Sequence, residues 1–168
     1  MENNETPWED LNDVEKQNYI DFHTTSYKED LAHAEFIVLK FPRWSIISGY
    51  YAMHDITKLF LARQFKIKIV SPQIHAKTIA AIDHFIKDHE LRQKIIPLLK
   101  EAQQTFYNVE RLKEKVIPLL LKQSKKQREQ SQYYSEDYSE KKSVNAQKAI
   151  AFLEQMVKPY IKIIEGLL

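Results

Sequence analysis

The side chains best suited to chemistry in this chain are three tyrosines, a histidine and an arginine. They are Tyr50, Tyr51, His75, Arg128 and Tyr133. Arg128 and Tyr133 are five residues apart, which places them within about one and a half helical turns if the helix continues that far. Tyr50, Tyr51 and His75 fall on segments whose apolar residues mark them as core-facing, so their polar atoms need partners inside the protein. We therefore expect either one partly buried site for phosphate-containing ligands, or a structural network in which these groups satisfy one another.

A short basic run precedes Arg128 and contains no acidic residue. Its lysines are Lys122, Lys125 and Lys126. Together with Tyr133 and Tyr134, these cations combine phosphate-pairing donors with rings that can stack, which is the chemistry of nucleotide or single-stranded nucleic-acid binding. A solvated helix face explains the same pattern. Residues 2–30 hold nine acidic side chains, so an acidic and a basic segment could meet in a dimer.

Carboxylate and histidine side chains near residue 85 have the composition of a metal site. The cluster consists of Asp83, His84, Asp88 and His89. His84 and Asp88 share a helical face, but no second cluster with the spacing of metal ligands accompanies them. We therefore expect a solvated helix end, and no metal or other cofactor. His75 is expected in the first turn of a helix, where the helix dipole favours the neutral imidazole.

Composition excludes several kinds of site. The chain has two glycines, Gly49 and Gly166, and no cysteine. Phosphate-cradling loops and hairpin-rich folds need more glycine, and disulfides and thiolate metal sites need cysteine. Gly49 falls inside a predicted helix, which indicates close approach of another element, with helix packing as the expected cause. Because no apolar stretch reaches membrane-spanning length and no signal sequence is visible, we expect a cytoplasmic protein without membrane contact.

Hydrophobic periodicity predicts an all-α fold, a single up-down bundle of about five helices. Residues 1–12 are expected to form a flexible acidic N-terminus, and residues 13–168 a single helical domain. The second helix is apolar on most sides and should therefore be central. The predicted helices run from Asn12 or Asp13 to about Lys40, from about Arg43 to Gln64, from a Ser71 cap and Pro72 through Ile86, from about Asp88 through Leu120, and from a Ser143 cap onwards.

Several local signals modify this outline. The stretch Phe65 to Val70 alternates like a strand, but no second strand pattern can pair with it, so we predict an extended connection. Pro97 predicts a break or start in the fourth helix, Pro118 a kink, and Pro159 a bend in the last helix. Residues 131–142 are expected to form a loop. The predicted core face of the last helix consists of Ala146, Ile150, Leu153, Val157, Ile161 and Ile164.

Four segments of the chain resemble the HEPN family of helical proteins. Ser48–His54, followed by Ser71–Lys77, is similar to that family's small-Tyr-Tyr-Ala helix and its later Ser/His start. Arg128–Tyr133 is similar to its Arg-x-x-Ala-Asp-Tyr element, and residues 143–156 are similar to its closing helix. The resemblance extends over roughly residues 20–165. It implies a helical bundle that dimerises, often beside a minimal nucleotidyltransferase in toxin–antitoxin and defence systems.

Ribonuclease members of that family carry an arginine followed, after four to six residues, by a histidine, and this chain lacks that motif. It also has Ser48 where relatives often have arginine. The resemblance therefore implies a non-catalytic homodimer that binds a nucleotide, RNA or a nucleotidyltransferase partner. Two alternatives stay open. One is a metal-independent ribonuclease toxin with an atypical centre that uses His75 or His54 with Arg128, and the other is a helical scaffold for protein contacts.

Overall fold

Helices account for most of the described chain. The computed structural model describes residues 6–122 and 144–168, without the side chains of residues 111–122. The helices are α1 (Asp13–Ile37), α2 (Pro42–Phe65), α3 (Ile74–Phe85), α4 (His89–Lys122), α5 (Ala146–Phe152) and α6 (Lys158–Glu165). A π-helical turn, Leu153–Val157, joins α5 to α6 in one continuous C-terminal helix. The predicted all-α bundle is confirmed.

Helix α2 is the centre of the bundle, as its sequence predicts. It contacts α1, α3, α4, α5, the π turn and α6. Ile46, Ile47 and Leu59 lie on three different sides of α2, and all three are buried. Because burying each such side chain stabilises the fold by about 1.5–3 kcal/mol, hydrophobic contacts fix α2 from every direction. The polar groups of α2 are therefore held on a rigid element.

The corner between α1 and α2 is tight. Helix α1 ends at Ile37, before the predicted end near Lys40, because the chain must turn before Pro42 opens α2. The Phe41 amide donates to the Ile37 carbonyl at 2.7 Å. The Ser45 hydroxyl donates to the Ala34 carbonyl, also at 2.7 Å. These bonds hold the first turn of α2 against the last turn of α1.

Asparagine side chains cap the first turns of two helices, α1 and α5. Of the two predicted caps for α1, Asn12 and Asp13, the structure shows Asn12, whose Oδ1 accepts a hydrogen bond from the Glu15 amide at 2.9 Å. Asn145 Oδ1 accepts from the Lys148 amide at 2.8 Å and begins α5 at the next residue. The predicted cap at Ser143 is therefore wrong. Ser143 itself and the predicted loop residues 131–142 lie outside the described residues.

The prediction that residues 65–70 have no strand partner is wrong. Ile67–Lys68 (β2) pairs with Glu9–Asp10 (β1) in a short antiparallel ladder. The partner is too short to show an alternating pattern, and its side chains are exposed and acidic, so the sequence carries no strand signal there. Beside this ladder Leu11 is buried, and the Trp8 ring packs on α3. The described part of the acidic N-terminal segment is thus in contact with the bundle.

Helix α3 begins later than predicted. The Ser71–Pro72 peptide is cis, and the residue before the helix is Gln73, with a left-handed φ of 60°. A helix cannot extend backwards through a left-handed residue, so α3 starts at Ile74 and the predicted Ser71 cap is wrong. This start still leaves His75 in the first helical turn, as predicted.

Helix α4 continues through Pro97, so the predicted break there is wrong. A buried stripe continues on both sides of the proline and holds the helix in place. Pro97 itself is exposed, and so is Gln93, whose carbonyl loses its hydrogen bond and can bond to water instead. The predicted kink position, Pro118, also lies within the helical span of α4. The stripe consists of Ile95, Leu99, Ala102, Phe106 and Val109.

Gly49 is the point of closest approach between α2 and the C-terminal helix. A methyl group in place of its hydrogen would lie 2.9 Å from Leu153 Cδ2 and 3.1 Å from Val157 Cγ2. The predicted close packing at Gly49 is therefore confirmed, and the neighbour is the π turn. The Lys158 amide closes this turn by donating to the Leu153 carbonyl, immediately before Pro159.

The π turn also explains an error in the predicted core face of the last helix. Val157, Ile161 and Ile164 are buried as predicted, but Ile150 is exposed. A π turn contains one residue more than an α-turn, which rotates the preceding residues by about 100° relative to an uninterrupted helix. The inward side chains before the turn are therefore Ala149 and Phe152.

Candidate functional site: a histidine network and a charged seam

The structure brings together two of the five predicted site residues. Tyr50 lies in α2 and His75 in α3, and a hydrogen bond of 2.8 Å joins the Tyr50 hydroxyl to His75 Nδ1. Tyr50 is buried and stacks on Phe106 of α4, with 4.5 Å between ring centroids. Tyr51 has no part in the hydrogen bond between Tyr50 and His75; its ring lies 5.5 Å from that of Phe106, and it is 42% exposed. The remaining predicted residues lie outside the described side chains: Arg128, Tyr133, Lys122, Lys125 and Lys126.

A fully buried histidine, His54, extends this pair into a network. Thr78 Oγ1 lies 3.0 Å from His54 Nε2, and it donates to the Ile74 carbonyl at 2.8 Å. Because a threonine hydroxyl has one proton, this geometry places a hydrogen on His54 Nε2 that the Thr78 oxygen accepts. The rings of His54 and His75 are 4.6 Å apart between centroids. We call Tyr50, His54, His75 and Thr78 the histidine network.

Electrostatics keep the histidine network neutral near pH 7. Burial, together with the nearby Lys58 ammonium, lowers the pKa of His54 well below its usual value. The same two causes lower the pKa of His75, and burial raises the pKa of Tyr50. His54 is only 2% exposed, so it cannot act on a substrate without a rearrangement of the core. The contacts of these four groups are those of a structural network between α2 and α3.

A charged cluster lies between α1 and α2. Asp55 Oδ1 is 3.0 Å from His23 Nδ1 and 3.4 Å from Lys58 Nζ. Nearer the corner, His33 Nδ1 and Ser48 Oγ form a hydrogen bond of 2.8 Å. The His23–Asp55 and His33–Ser48 contacts therefore join α1 to α2 at two separate points along the helices. We call His23, Asp30, His33, Asp55 and Lys58 the charged seam.

Asp30 differs from the other members of the seam. It is half-buried, and the side chains that the structure describes offer it no hydrogen-bond or ion-pair partner. Burial and then repulsion from Asp55 raise the pKa of the Asp30 carboxyl to about 6. Carboxyls whose pKa is perturbed in this way are concentrated at functional sites, although structural networks produce them too.

Sequence reasoning missed the charged seam, although α2 carries a signal for it. Ser48, Tyr51, Asp55 and Lys58 recur at steps of three and four residues. That spacing places these four side chains in one polar stripe along the helix. The stripe is obscured because α2 is apolar on its other sides.

The predicted cluster near residue 85 takes part in capping and packing. Asp88 Oδ1 accepts a hydrogen bond from the Leu91 amide at the start of α4, at 3.1 Å. The His84 ring lies 4.8 Å from the Trp8 ring between centroids, and Asp83 pairs with an arginine of α4. Among the side chains of residues 6–110 and 144–168, no group of three or more His, Asp or Glu is arranged to hold a metal ion.

The most exposed apolar surface is at the corner between α1 and α2. Phe36 is 89% exposed and Leu39 is 73% exposed. Phe41 and Trp44 are exposed beside them, and the Arg43 guanidinium lies 5.6 Å from the centroid of the Trp44 ring. Isolated exposed apolar residues are common on proteins, but four within nine residues form a patch. We call Phe36, Leu39, Phe41 and Trp44 the apolar corner.

Comparison with known proteins adds no relative. No protein-family model matches the chain, and neither a curated protein nor a solved structure matches it. Among the described helices, none is long and apolar enough to cross a membrane.

Proposed function

We propose that the protein is a non-catalytic, HEPN-like helical module that works as a homodimer, with the apolar corners of two copies packed against each other. The observation that carries this proposal is the exposure of Phe36, Leu39, Phe41 and Trp44 on a tight corner. Binding of a nucleotide, RNA or a nucleotidyltransferase partner is the role that the HEPN resemblance adds. This binding role is supported by the resemblance alone.

The area of the apolar corner supports a second copy as its occupant. Three aromatic side chains and a leucine at these exposures present on the order of 500 Å² of apolar surface. A standard interface covers about 800 Å² on each partner, and in homodimers about 65% of it is apolar. The corner therefore supplies about the apolar area that one side of a small, stable dimer needs.

The histidines support a binding role over catalysis. The ribonuclease alternative needs His54 or His75 as a general base. His54 is buried with a depressed pKa, and His75 is bonded to Tyr50. We expect purified protein to leave labelled RNA intact. Cleavage that disappears in His75→Ala would show that the ribonuclease alternative is correct.

Sedimentation velocity at micromolar concentration tests the dimer. We expect wild-type protein to sediment as a dimer and the double variant Phe36→Ser/Leu39→Ser as a folded monomer. Because both copies carry the two substitutions, the interface loses four apolar anchors, which costs about 6 kcal/mol and weakens association roughly ten-thousandfold. Val14→Ser/Phe22→Ser is the matched control, because both residues are exposed on α1 away from the corner. This control should remain a dimer.

The salt dependence of association distinguishes two possible dimer interfaces. One is the apolar corner, and the other is a contact between the acidic residues 2–30 and the basic residues 122–128. Association through charged segments weakens steeply as salt rises, whereas association through an apolar core does not. We expect the same dimer at low and high salt. A wild-type monomer, or a dimer that survives Phe36→Ser/Leu39→Ser, contradicts the proposed interface.

A further inference from the structure

Helix α3 is attached to the bundle by few buried side chains. Only three of its residues are fully buried, Thr78, Ala81 and Ile82, whereas most of α2 is buried. The residues on either side of α3 are not helical, since Gln73 has a left-handed backbone and Ile86 an extended one. Segments with few buried contacts open at a lower free energy than the rest of a fold. Helix α3 can therefore open while the other helices stay folded.

Histidines make the side-chain hydrogen bonds between α3 and α2. Two such bonds are present in the described part of the chain. One joins Thr78 Oγ1 to His54 Nε2 at 3.0 Å, and the other joins His75 Nδ1 to the Tyr50 hydroxyl at 2.8 Å. Because the two imidazole rings are 4.6 Å apart between centroids, positive charges on both would repel each other. This interface therefore favours neutral histidines.

Protonation of His75 also disturbs the hydrogen bond of Tyr50. The Tyr50 side chain is 1% exposed, so its hydroxyl proton needs an acceptor inside the protein. Nδ1 of a neutral His75 can accept that proton, whereas Nδ1 of an imidazolium can only donate. A charged His75 would therefore remove this acceptor from a buried phenol, which destabilises the contact between α2 and α3.

The charged groups near the two rings do not compensate for an added proton. Besides Tyr50, the titratable side chains that face the rings are Lys58 on α2, His23 on α1 and Tyr107 on α4. None of these is negatively charged near neutral pH. Asp55 pairs with His23 and Lys58, and no carboxylate of the described chain pairs with His54 or His75. Burial first, and then the charge of Lys58, lowers the pKa of both rings.

We propose that the interface between α2 and α3 is an acid-sensitive latch, in which protonation of His54 and His75 releases α3 while the other helices stay folded. In the closed state the His75 ring covers the rings of Tyr50 and Phe106, at 5.3 and 5.7 Å between centroids. Release of α3 therefore exposes an aromatic surface that is buried at neutral pH. The latch does not involve the apolar corner and does not need the proposed dimer.

Proton uptake sets the size of the expected effect. In the open state both histidines regain a pKa near 6.5, whereas burial holds their pKa lower in the closed state. Opening therefore takes up protons as the pH falls below about 6.5, and the closed state loses stability there. Each pH unit favours the open state by up to about tenfold for one histidine and about a hundredfold for both.

Hydrogen–deuterium exchange of the whole chain, followed by mass spectrometry, tests the latch. Each exchange rate is divided by the intrinsic rate at the same pH, which gives a protection factor. We expect the protection factor of residues 74–85 in α3 to fall roughly tenfold or more between about pH 6.5 and pH 5. Protection of residues 52–62 in α2 should stay nearly constant. Above about pH 7.5, protection of α3 should not depend on pH.

A double variant identifies the groups responsible. In His54→Gln/His75→Gln, one glutamine amide can donate to Thr78 and the other can accept from Tyr50, but neither side chain titrates. We expect α3 of this variant to keep the same protection factor from neutral pH to about pH 5. His89→Gln is the matched control, because His89 is exposed at the start of α4 and lies outside the histidine network. This control should lose protection in α3 as wild-type protein does.

The latch is overturned if α1, α2 and α3 lose protection together in acid, because α3 would then open only with the whole bundle. It is also overturned if the double variant loses α3 protection as wild type does. If the double variant does not fold, the ring protons of His54 and His75 in wild-type protein replace it. Their resonances must titrate over the pH range in which α3 opens, and opening while both rings stay neutral would exclude the latch. The Phe36→Ser/Leu39→Ser monomer should open like wild type, so the latch and the dimer can fail separately.

Discussion

The histidine network and the charged seam use the same residue type in opposite ways. His54 and His23 are both buried, but His54 pairs with a threonine hydroxyl, whereas His23 pairs with the carboxylate of Asp55. The network contains no acidic side chain, so burial keeps its histidines neutral. The seam contains two carboxylates and an ammonium. Comparison of the two regions shows that the partner, and not burial alone, decides whether a core histidine is placed in a neutral or a charged environment.

The two regions also respond oppositely to pH. For His54 and His75 the folded pKa is lowered, so the unfolded chain binds protons first as the pH falls below about 6.5, and stability is lost. For Asp30 the folded pKa is raised to about 6. The folded chain then holds a proton that the unfolded chain has released, and the stability that this proton gives is lost as the pH rises through that value.

Adjacent tyrosines provide the largest expected contrast. Tyr50→Ala should lower the free energy of unfolding by about 3–5 kcal/mol, because it empties a core position and removes the partner of His75. Tyr51→Ala, the matched substitution at an exposed position, should lower it by about 1 kcal/mol or less. Urea denaturation measures both. Equal losses would contradict the assignment of Tyr50 to the core and Tyr51 to the surface.

A smaller contrast concerns acid stability. Between pH 6.5 and 5, a neutral buried histidine costs at most about 1.4 kcal/mol of stability for each pH unit. His54→Gln keeps a donor for Thr78 but cannot titrate, so its stability should fall less steeply with acid. His89→Gln, at an exposed histidine, is the control and should follow wild type. Parallel curves for wild type and His54→Gln would show that His54 does not titrate with folding.

The smallest expected effect is a gain in the free energy of unfolding. Asp30→Asn should raise the free energy of unfolding at pH 7.5 by about 1 kcal/mol, a figure reduced for solvent screening because Asp30 is only half-buried. The gain should disappear near pH 4, where the wild-type carboxyl is protonated in the folded protein. Asp21→Asn, at an exposed residue of α1, should show no such dependence. Paired urea titrations at the two pH values make the measurement.

The fold could be predicted where the hydrophobic pattern is regular. The central place of α2, the Asn12 cap and the close contact at Gly49 all follow from local sequence signals. Local signals do not predict the strand partner of residues 67–68 or the continuity of α4 across Pro97. Both depend on tertiary contacts that override local propensity.

Only part of the candidate site could be predicted from the sequence. His75 and Tyr50 could be expected to find buried partners, and the structure pairs them with each other. The charged seam could not be expected, because its members come from α1 and α2, and only the packing of these two helices brings them together. The predicted contribution of Arg128 and Tyr133 stays a prediction, since both residues lie outside the described chain.

The π turn has a consequence for how relatives of this chain could differ in length. Phe152 and Val157 are five residues apart and both face inward. Deleting one exposed residue between them, such as Glu154 or Gln155, would leave them four apart, the spacing of an ordinary α-helix. Both buried faces would then be preserved in a continuous helix. A homologue that is one residue shorter at this point can therefore share the fold, and an alignment should place its gap between residues 153 and 157.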